Sequence, residues 1–366
     1  MLEIPPAEGK HLKLTDPGFE IHQLNCNDKS IHQQWDDYVY NSPRGTFCHL
    51  MGWQNVIKKT FAHTPFYFYA EQGDKICGVL PLFFVRSHLF GKMLVSNAFA
   101  VYGGAITDNA KVERALVEEA IELGKRFGVD YVEFRNREKG IPVRSMHSSD
   151  LYVTFRQQLF DDPEENFKVM PREARRLVRR AKEAGLQAEF SRGHIDEFYH
   201  VYSSSVRNLG TPVFPRKLFE NFLSEFQETA DILYIWFRNK VVAAVLSFYF
   251  RDTVMPYYGG SLKEYNNNKI APNNFMYWTL IEKGCKRGLK WFDFGRSKSN
   301  TGAYDFKRHF GIEPEPLHYQ YALINQKNLP NLNPLNPKFG PLISLWKHLP
   351  LSLTQIIGPR IVKNIP

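Results

Sequence analysis

The chain has 366 residues, of which 43% are hydrophobic, 14% aromatic and 23% charged. This composition excludes an intrinsically disordered chain, and the length favours two domains, because single cores rarely grow past about 250–300 residues. Lys and Arg outnumber Asp and Glu by 47 to 38, and this net charge of +9 indicates an anionic partner such as RNA, a phosphorylated sugar nucleotide or an acidic membrane surface.

The cysteine pattern and the N-terminus bear on the compartment. The four cysteines, Cys26, Cys48, Cys77 and Cys285, are far apart and form no CxxC pair. We therefore expect free thiols in a reducing compartment, with neither a zinc site nor a disulfide framework. We also expect no cofactor and no metal. Residues 1–16 contain no apolar signal-peptide core, and no run of about 18 apolar residues occurs, so the sequence predicts a cytoplasmic protein.

Two similar series of elements follow each other along the chain. After a strand at 18–24 and helices at 29–40 and 47–61, the first series is predicted as a hairpin at 66–85, the stretch YGGAITD at 102–108, a helix at 110–127 and a strand at 128–136. The second series is a hairpin at 232–250, YGGSLKE at 258–264, a helix at 272–287 and a strand at 288–296. This order predicts an internal duplication of one α/β unit.

A helix with two distinct faces is predicted over residues 171–184. Small and aliphatic residues occupy one face. The other face carries four arginines at positions i, i+3, i+4 and i+7, namely Arg172, Arg175, Arg176 and Arg179. This face is either an ordinary solvated surface or a binding site for the phosphates of RNA.

The stretch Trp291–Gly311, WFDFGRSKSNTGAYDFKRHFG, predicts a short apolar strand, a polar loop and an amphipathic turn. A polar loop that leaves a buried strand is a common place for functional side chains. Lys307, between Phe306 and Phe310, is our candidate catalytic residue, and a surface lysine is the alternative interpretation. The loop has no Gly-Lys-Ser/Thr sequence, so it does not predict an ATP site.

The last segment, residues 326–366, alternates short apolar runs with prolines and basic residues. We expect a proline-rich tail that crosses the protein surface as a strap. The alternative is a peripheral contact with the inner membrane through Trp346, Leu349, Leu351, Ile356 and Ile357.

Several of these features, in this order, resemble the FemAB family. They are the helix with Phe47 and Trp53 that ends in lysine, the YGG stretch followed by an acid, the arginine-rich helix and the final FKRHFG. FemAB proteins are non-ribosomal peptidyltransferases of two GNAT-like domains, which add amino acids from aminoacyl-tRNA to cell-wall precursors. The resemblance covers roughly residues 40–325. The Trp-x-x-Leu-Pro and Gly-Pro-Arg pattern near the C-terminus is similar to FemAB-like proteins of exopolysaccharide and PEP-CTERM loci.

The resemblance implies a mixed α/β fold with two tandem GNAT-like domains, at 18–152 on the acceptor side and 153–325 on the donor side. It also implies that Lys307 stabilises the oxyanion or the tRNA leaving group, and that Phe306 lines the same pocket. Removal of one such donor typically costs about 2.7–4 kcal/mol of transition-state stabilisation.

The resemblance further implies an acceptor site. Lys58 and Arg207 match the pair that holds the phosphate of the acceptor, and Tyr102 and Asp108 match its tyrosine and acid, where Asp108 could take the proton of the amine. YGGAITD has one residue more between Tyr and Asp than the family spacing. Taken alone, Lys58 could cap a helix, Arg207 could form a structural ion pair and Tyr102 could simply pack.

Three functions remain open at this stage. The first is transfer of an amino acid from aminoacyl-tRNA to an amine on a cell-envelope peptide or glycan precursor. The second is N-acyl transfer from acyl-CoA or acyl carrier protein to an exopolysaccharide amino sugar, although no Arg/Gln-x-x-Gly-x-Gly/Ala stretch for the CoA pyrophosphate is found. The third is a non-catalytic adaptor that binds RNA or an anionic membrane surface.

Overall fold

The computed structural model describes residues 18–25, 28–87, 91–143, 146–330 and 340–365, and all structural statements concern these residues. Residues 1–16, which are predicted not to be a signal peptide, and Cys26, a predicted free thiol, lie outside them.

The first half of the chain contains three α-helices and nine strands among its described residues. The helices are α1 (Lys29–Asn41), α2 (Met51–Phe61) and α3 (Ala110–Phe127), and the strands are β1 (Glu20–Gln23), β2 (Thr64–Pro65), β3 (Phe68–Gln72), β4 (Lys75–Leu80), β5 (Leu82–Ser87), β6 (Gly91–Ser96), β7 (Ile106–Thr107), β8 (Tyr131–Asn136) and β9 (Met146–Ser149).

The remaining described elements belong to the second half and to the C-terminal segment. The helices are α4 (Pro163–Val169), α5 (Arg172–Glu183), α6 (Ile195–Leu209), α7 (Arg216–Phe226), α8 (Pro272–Lys286), α9 (Gly302–Arg308), α10 (Gly340–His348) and α11 (Leu351–Val362). The strands are β10 (Tyr152–Gln158), β11 (Gln187–Ser191), β12 (Ala230–Phe237), β13 (Lys240–Phe250), β14 (Thr253–Ser261), β15 (Trp291–Asp293), β16 (Ser297–Lys298), β17 (Pro314–Pro316) and β18 (His318–Leu323).

Local sequence signals explain where these elements begin and end. The side chain of Asn109 accepts hydrogen bonds from two backbone amides at the start of α3, and Gly128 ends that helix with φ of +57°. In the second half, the β12–β13 hairpin turns at Arg238 and Asn239, which have φ of +48° and +61°. Left-handed residues in a two-residue loop match the twist of a hairpin.

The described strands form three sheets. The first half contributes a four-stranded sheet in the order β1-β3-β4-β7 and most of a six-stranded sheet in the order β2-β5-β6-β8-β18-β9. The second half forms an eight-stranded sheet in the order β11-β12-β13-β14-β15-β10-β16, with β17 also paired to β10. Both halves contain, in this order, a hairpin, a further strand, a helix and a last strand. In each half the last strand runs parallel to the further strand, as the duplication predicts.

The boundary between the halves is crossed near the end of the chain. Strand β18, at the end of the predicted second domain, pairs with β8 and β9 in the sheet of the first half. In terms of the predicted domains, β18 belongs to the range 153–325 but lies in a sheet formed mainly by residues of the range 18–152. The alternation of residues in a strand predicts its faces but does not identify its partner.

One apolar core joins the two halves. Trp53, fully buried on α2 of the first half, contacts the rings of Phe222, Phe248 and Tyr257 of the second half at centroid distances of 4.9, 6.2 and 5.6 Å. Its indole nitrogen donates to the carbonyl oxygen of Ala98 at 3.0 Å. A shared core of this kind holds the halves as one body, so side chains from both can build one site.

The C-terminal segment differs from the predicted strap. Residues 331–339 lie outside the described part, but residues 340–362 form helices α10 and α11, which pack against α6. Trp346 is buried, and its indole nitrogen donates to the carbonyl oxygen of Thr211 at 3.1 Å. The sequence analysis did not predict these helices, because proline is unfavourable inside a helix and Pro359 lies within α11.

The described residues contain neither a membrane-spanning helix nor a metal-binding cluster. None of the helices there is long and apolar enough to cross a membrane. In the same residues, no cluster of three or more His, Cys, Asp or Glu side chains is arranged to hold a metal ion.

The YGG motif of the first half fills a gap between two strands. Strands β6 and β8 run parallel over Met93–Val95 and Tyr131–Glu133. Beyond them, the amides of Gly103 and Gly104 both donate to the carbonyl oxygen of Arg135, at 3.0 and 3.1 Å. The loop is therefore packed backbone to backbone in the opening.

We expect Gly103→Ala to destabilise the fold, because its Cβ would lie 2.4 Å from the carbonyl oxygen of Ser96. Overpacking against backbone typically costs about 1–3 kcal/mol, so the midpoint of thermal unfolding should fall by several degrees. Gly18→Ala is the matched control, since its Cβ would meet nothing within 4 Å. Equal midpoints for the two variants would show that the loop is not tightly packed.

Candidate active site

The candidate site lies where two parallel strands of the second half separate. Strands β14 and β15 pair only at Thr253 with Trp291 and Val254 with Phe292. Beyond these pairs, residues 255–260 and 294–296 line opposite walls of a cavity of about 590 Å³, which we call the lysine cavity. This volume lies within the range of small-molecule sites.

Aromatic packing holds Lys307 in the wall of this cavity. Helix α9 carries Phe306 and is followed by Phe310, and both rings contact Tyr277 of α8, at centroid distances of 5.2 and 5.8 Å. Phe310 also packs on Phe294 at 5.4 Å. The alternation of large rings and Lys307 therefore anchors the short helix and leaves the lysine directed at the strand ends.

Lys307 is buried, with 6% of its surface exposed. Its ammonium donates to the carbonyl oxygens of Gly295 at 2.7 Å and Arg296 at 3.1 Å. An ammonium has three hydrogens, and the third has no acceptor among the described residues. Gly295 has φ of +73°, a left-handed conformation that glycine adopts without strain, so this turn can aim its carbonyl at the lysine.

The surroundings make the Lys307 ammonium unusually acidic. Burial lowers its pKa to about 7, while the carboxylate of Asp293 acts in the opposite direction and the charge of Arg296 in the same direction as burial. Both protonation states of Lys307 are therefore populated near neutral pH. Such a lysine can stabilise developing negative charge and exchange a proton at the same place.

The charged residues that line the lysine cavity are all basic. They are Arg135, Arg296, Lys298 and Lys307, and none of the described lining residues is Asp or Glu. Burial, with the charge of Arg296, lowers the pKa of Lys298 to about 8. Arg135 is neutralised by Glu133 at 2.8 Å, whereas residues 296, 298 and 307 supply the other three cations of the lining. This cavity favours an anionic ligand.

Eight tyrosine and phenylalanine rings also line the lysine cavity. They are Phe99, Tyr152, Phe214, Tyr257, Tyr258, Tyr277, Phe294 and Phe306. The hydroxyl of Tyr258 is buried and has no hydrogen-bond partner within the described residues. Because an unpaired buried hydroxyl is unfavourable, it is a candidate contact for a polar group of the ligand.

A second cavity lies at Asp293, and Tyr102 of the first half also lines it. The hydroxyl of Tyr102 donates to Asp293 at 2.8 Å and also contacts Thr154 at 2.8 Å. Burial and the charge of Asp293 raise the pKa of Tyr102 above its usual range, so it stays neutral. Tyr102 and Asp293 line a cavity of about 660 Å³, which we call the Tyr102 cavity. Met255 lines both cavities.

Arginines also mark the Tyr102 cavity. Arg156 stacks over Trp291 at 4.6 Å, and its buried Nε lies 3.8 Å from the carboxylate of Asp293 but has no hydrogen-bond partner in the described part of the chain. Arg137 lines the same cavity. Arg251 is occupied differently, because its guanidinium donates to four backbone carbonyls of residues 40–45 and fixes that loop.

The structure does not gather the other predicted acceptor residues at Lys307. Lys58 is exposed on α2, and Asp108 is exposed after β7, where it accepts a hydrogen bond from Tyr38 at 2.8 Å. Neither residue lines the two cavities described above. Arg207, at the end of α6, donates to the carbonyl oxygen of Leu349 at 3.4 Å and so contacts the C-terminal segment. Their predicted acceptor roles stay predictions.

The four predicted phosphate-binding arginines lie on α5. Arg172, Arg176 and Arg179 are exposed and Arg175 is half-buried, while Ala174, Val178 and Ala181 face the core. Arg176 pairs with Glu173, and Arg179 lies over the ring of Phe167 at 5.4 Å. The helix begins beside the end of α9, since Pro171 touches Gly311. The arginine face and Lys307 therefore lie on neighbouring elements.

Sequence analysis missed three residues of the site that were within its chosen stretch. Asp293, Arg296 and Lys298 all lie in WFDFGRSK, whereas the candidates predicted from the stretch are Phe306 and Lys307. The available signal was the density of charge around a glycine at the end of an apolar strand. Their convergence depends on the separation of β14 from β15, which the sequence pattern does not reveal.

Comparisons with known proteins agree with this fold. Residues 168–308 match the family described as acetyltransferase (GNAT) domain. No curated protein matches the chain. The crystal structure of FemX is similar over 84% of this chain and 98% of its own, with 15% identity and a TM-score of 0.66.

Two further solved structures share the architecture. A tandem GNAT protein from the clavulanic acid biosynthesis pathway covers 85% of this chain and all 100% of its own, with 13% identity and a TM-score of 0.54. The C-terminal domain of a putative lysylphosphatidylglycerol synthetase from Agrobacterium fabrum covers 82% and 93%, with 11% identity and a TM-score of 0.54. The predicted mixed α/β fold with tandem GNAT units is confirmed, and these findings together support an acyltransferase.

We expect the Lys307 amine to titrate near pH 7, and Asp293→Asn to lower this midpoint, because the Asp293 carboxylate favours the charged ammonium. Labelling with acetic anhydride across a pH series, followed by peptide mass spectrometry, measures the midpoint. Asp305→Asn is the control, since this exposed carboxylate on α9 is not among the charges that shift Lys307. A midpoint near 10, or one unchanged by Asp293→Asn, would contradict the geometry of the site.

Proposed function

We propose that this chain is an aminoacyltransferase of the FemAB type. It moves an amino acid from aminoacyl-tRNA to an amine on a phosphorylated peptide or glycan precursor of the cell envelope. The observation that carries the proposal is the buried Lys307, held by two carbonyl oxygens in a cavity whose charged lining residues are all basic. The similarity to FemX supports the same choice among GNAT-type enzymes.

The chemistry requires a fixed cation rather than a covalent nucleophile. The acceptor amine attacks the ester carbonyl, a C–N bond forms, and the C–O bond to the tRNA ribose breaks. Negative charge collects first on the carbonyl oxygen and then on the leaving ribose oxygen. The third hydrogen of the Lys307 ammonium can stabilise that charge, and the low dielectric of the site strengthens the interaction.

The protons balance within the reaction. The amine loses one proton when it becomes an amide, and the ribose oxygen gains one. Because the pKa of Lys307 is about 7, this residue can deliver a proton to the ribose oxygen and recover one from the amine. Asp108 is predicted to be the base, but it does not line the lysine cavity, so no contact supports that role.

The lysine cavity is suited to bind the end of a nucleic acid that carries the donor group. The cations at positions 296, 298 and 307 suit phosphates, and the aromatic walls suit stacking by a base. Outside the cavity, the arginine face of α5 begins beside the end of α9 and can continue the contact along the tRNA backbone. The terminal nucleotide would enter the cavity while the helix holds the stem.

The acceptor side fits the Tyr102 cavity. Arg156 and Arg137 supply guanidinium groups there, and the Nε of Arg156, which lies 3.8 Å from Asp293, makes no hydrogen bond among the described residues. A phosphorylated precursor could bind these guanidinium groups with Tyr102 beside it, as the sequence resemblance proposes for Tyr102. Met255 and the Asp293–Gly295 segment lie between the two cavities, so donor and acceptor would approach Lys307 from different sides.

The second candidate is N-acyl transfer from acyl-CoA or acyl carrier protein to an amino sugar of an exopolysaccharide. The match to an acetyltransferase family favours it, and so does the similar fold of the clavulanic acid tandem GNAT protein, which was solved in a form without AcCoA. Against CoA, residues 262–272 that lead into α8 contain no glycine, whereas a backbone cradle for pyrophosphate usually requires it. A non-catalytic adaptor would leave the burial of Lys307 unexplained.

Replacement of Lys307 by alanine should abolish most turnover but leave donor binding intact. Loss of one oxyanion donor lowers the rate by about 100- to 1,000-fold. Single-turnover transfer from charged tRNA, together with the tRNA dissociation constant, separates the two effects. Lys111→Ala, an exposed lysine on α3, should behave as the unaltered protein. Full activity of Lys307→Ala would end its assignment as the catalytic residue.

Binding of charged tRNA should weaken with salt, and the double variant Arg175→Ala/Arg176→Ala should reduce the slope of log K against log salt by about 1 for each phosphate contact that is lost. Titrations of charged tRNA, acetyl-CoA and a longer acyl-CoA at several salt concentrations measure this. Lys111→Ala/Arg114→Ala on α3 removes the same charge elsewhere and is the control. If the protein binds an acyl-CoA but not charged tRNA, the first proposal is wrong and the second candidate function is favoured.

A further inference from the structure

The C-terminal segment has an uneven charge. Residues 316–366 contain five Lys or Arg residues and no Asp or Glu, so this segment supplies more than half of the net charge of +9. Three of these cations, Lys347, Arg360 and Lys363, are exposed on or just after helices α10 and α11. A basic segment of this kind is attracted to anionic surfaces.

One face of each helix is used for packing onto α6. In α10, the Cβ that a side chain at Gly210 would carry lies 2.4 Å from Ile343, and Trp346 is buried on the same side. In α11, Thr354, Gly358 and Val362 are buried at a spacing of four residues. These inner faces explain why the two helices fold against the body.

The opposite faces carry large aliphatic side chains in solvent. Leu342 and Leu345 are 64% and 62% exposed on α10, and Leu353 and Ile356 are 38% and 62% exposed on α11. Leu209, which is 71% exposed, precedes Gly210 beside α10. Five of the nine large hydrophobic residues with high exposure in the described chain therefore belong to this region, which we call the tail face.

We propose that the tail face is a docking surface for an anionic lipid bilayer. Aliphatic side chains bordered by exposed cations and free of acidic residues are typical of interfacial helices, whose apolar face enters the headgroup region. On α11, Arg360 lies four residues after Ile356 and seven after Leu353, so cation and aliphatic residues share one stripe. This inference does not depend on the identity of the transferred group.

The residues of this surface differ from those expected from sequence. Of the five residues suggested for membrane contact, only Ile356 is strongly exposed, whereas Trp346 is buried and Leu349, Leu351 and Ile357 are half-buried. Those side chains pack the helices onto the body. The bilayer contact is therefore assigned to the outer stripe, which the sequence analysis did not identify.

The tail face is connected to the candidate active site. Val362 and Ile365, at the end of α11, line the lysine cavity, and His63 of the first half contacts the carbonyl oxygen of Lys363 at 2.8 Å. A helix seated on a bilayer would thus hold one rim of the cavity close to the lipid surface. The transfer site at Lys307 would then lie close to a membrane that carries the acceptor.

Vesicle co-sedimentation of the full chain tests the proposal. We expect binding to phosphatidylcholine vesicles that contain about one third phosphatidylglycerol, weaker binding to phosphatidylcholine alone, and weaker binding at high salt. The double variant Leu345→Ser/Ile356→Ser removes apolar area without touching the packed face, and should lower the partition coefficient by about tenfold or more. Arg360→Gln/Lys363→Gln should lower binding only for the anionic vesicles.

Val169→Ser is the matched control, because Val169 is 55% exposed on α4, outside the tail face. It should bind vesicles as the unaltered chain does, and circular dichroism should show that all variants are folded. Absence of vesicle binding, or equal binding by Leu345→Ser/Ile356→Ser, would overturn the proposal. A concentration-dependent dimer in sedimentation velocity, lost in that double variant and without lipid binding, would assign the tail face to a second copy of the chain instead.

Discussion

The structure depends on a short parallel contact between β14 and β15. The strands share only two residue pairs before they separate, and the backbone that loses its sheet partner must find other groups. The carbonyl oxygens of Gly295 and Arg296 find the ammonium of Lys307. The gap in the sheet thus creates both the cavity and the reason for a buried cation in its wall, and the aromatic residues around α9 keep the lysine there.

The two units of the duplication resolve the same geometric problem differently. In the first half, the gap after β6 and β8 is closed by its own YGG loop, whose glycines leave room for backbone contact at Arg135. In the second half, YGG lies inside β14, and the gap stays open as the lysine cavity. The closed loop also presents Tyr102 to Asp293 across the boundary. The first unit has therefore become part of the wall of the site in the second.

Sequence patterns predicted local elements well and long-range partners poorly. Helix α3 matched its expected bounds because Asn109 and Gly128 supply clear caps, and Lys307 was found because it follows a buried strand and a polar loop. Strand β18 falls in the range of the second unit but pairs in a sheet of the first, since alternation gives no information about pairing. Asp108 matched a family motif but lies on the surface, and Asp293 was missed although it contacts both halves.

Burial of Lys307 has an energetic consequence that favours a functional explanation. Its pKa of about 7 in the folded chain, against an ordinary value of 10.5, means that the folded state binds fewer protons between these pH values. Stability contributed by this group therefore rises with pH from about 7 to 10.5, and below pH 7 the charged lysine lowers stability by an amount on the order of 5 kcal/mol relative to an exposed one. A hydrophobic residue would leave the carbonyl oxygens of Gly295 and Arg296 without a donor, but a neutral donor would satisfy them without that loss. A lysine retained there despite the loss is better explained by chemistry in the cavity than by packing, because an anionic transition state would supply the interaction that two neutral carbonyl groups do not.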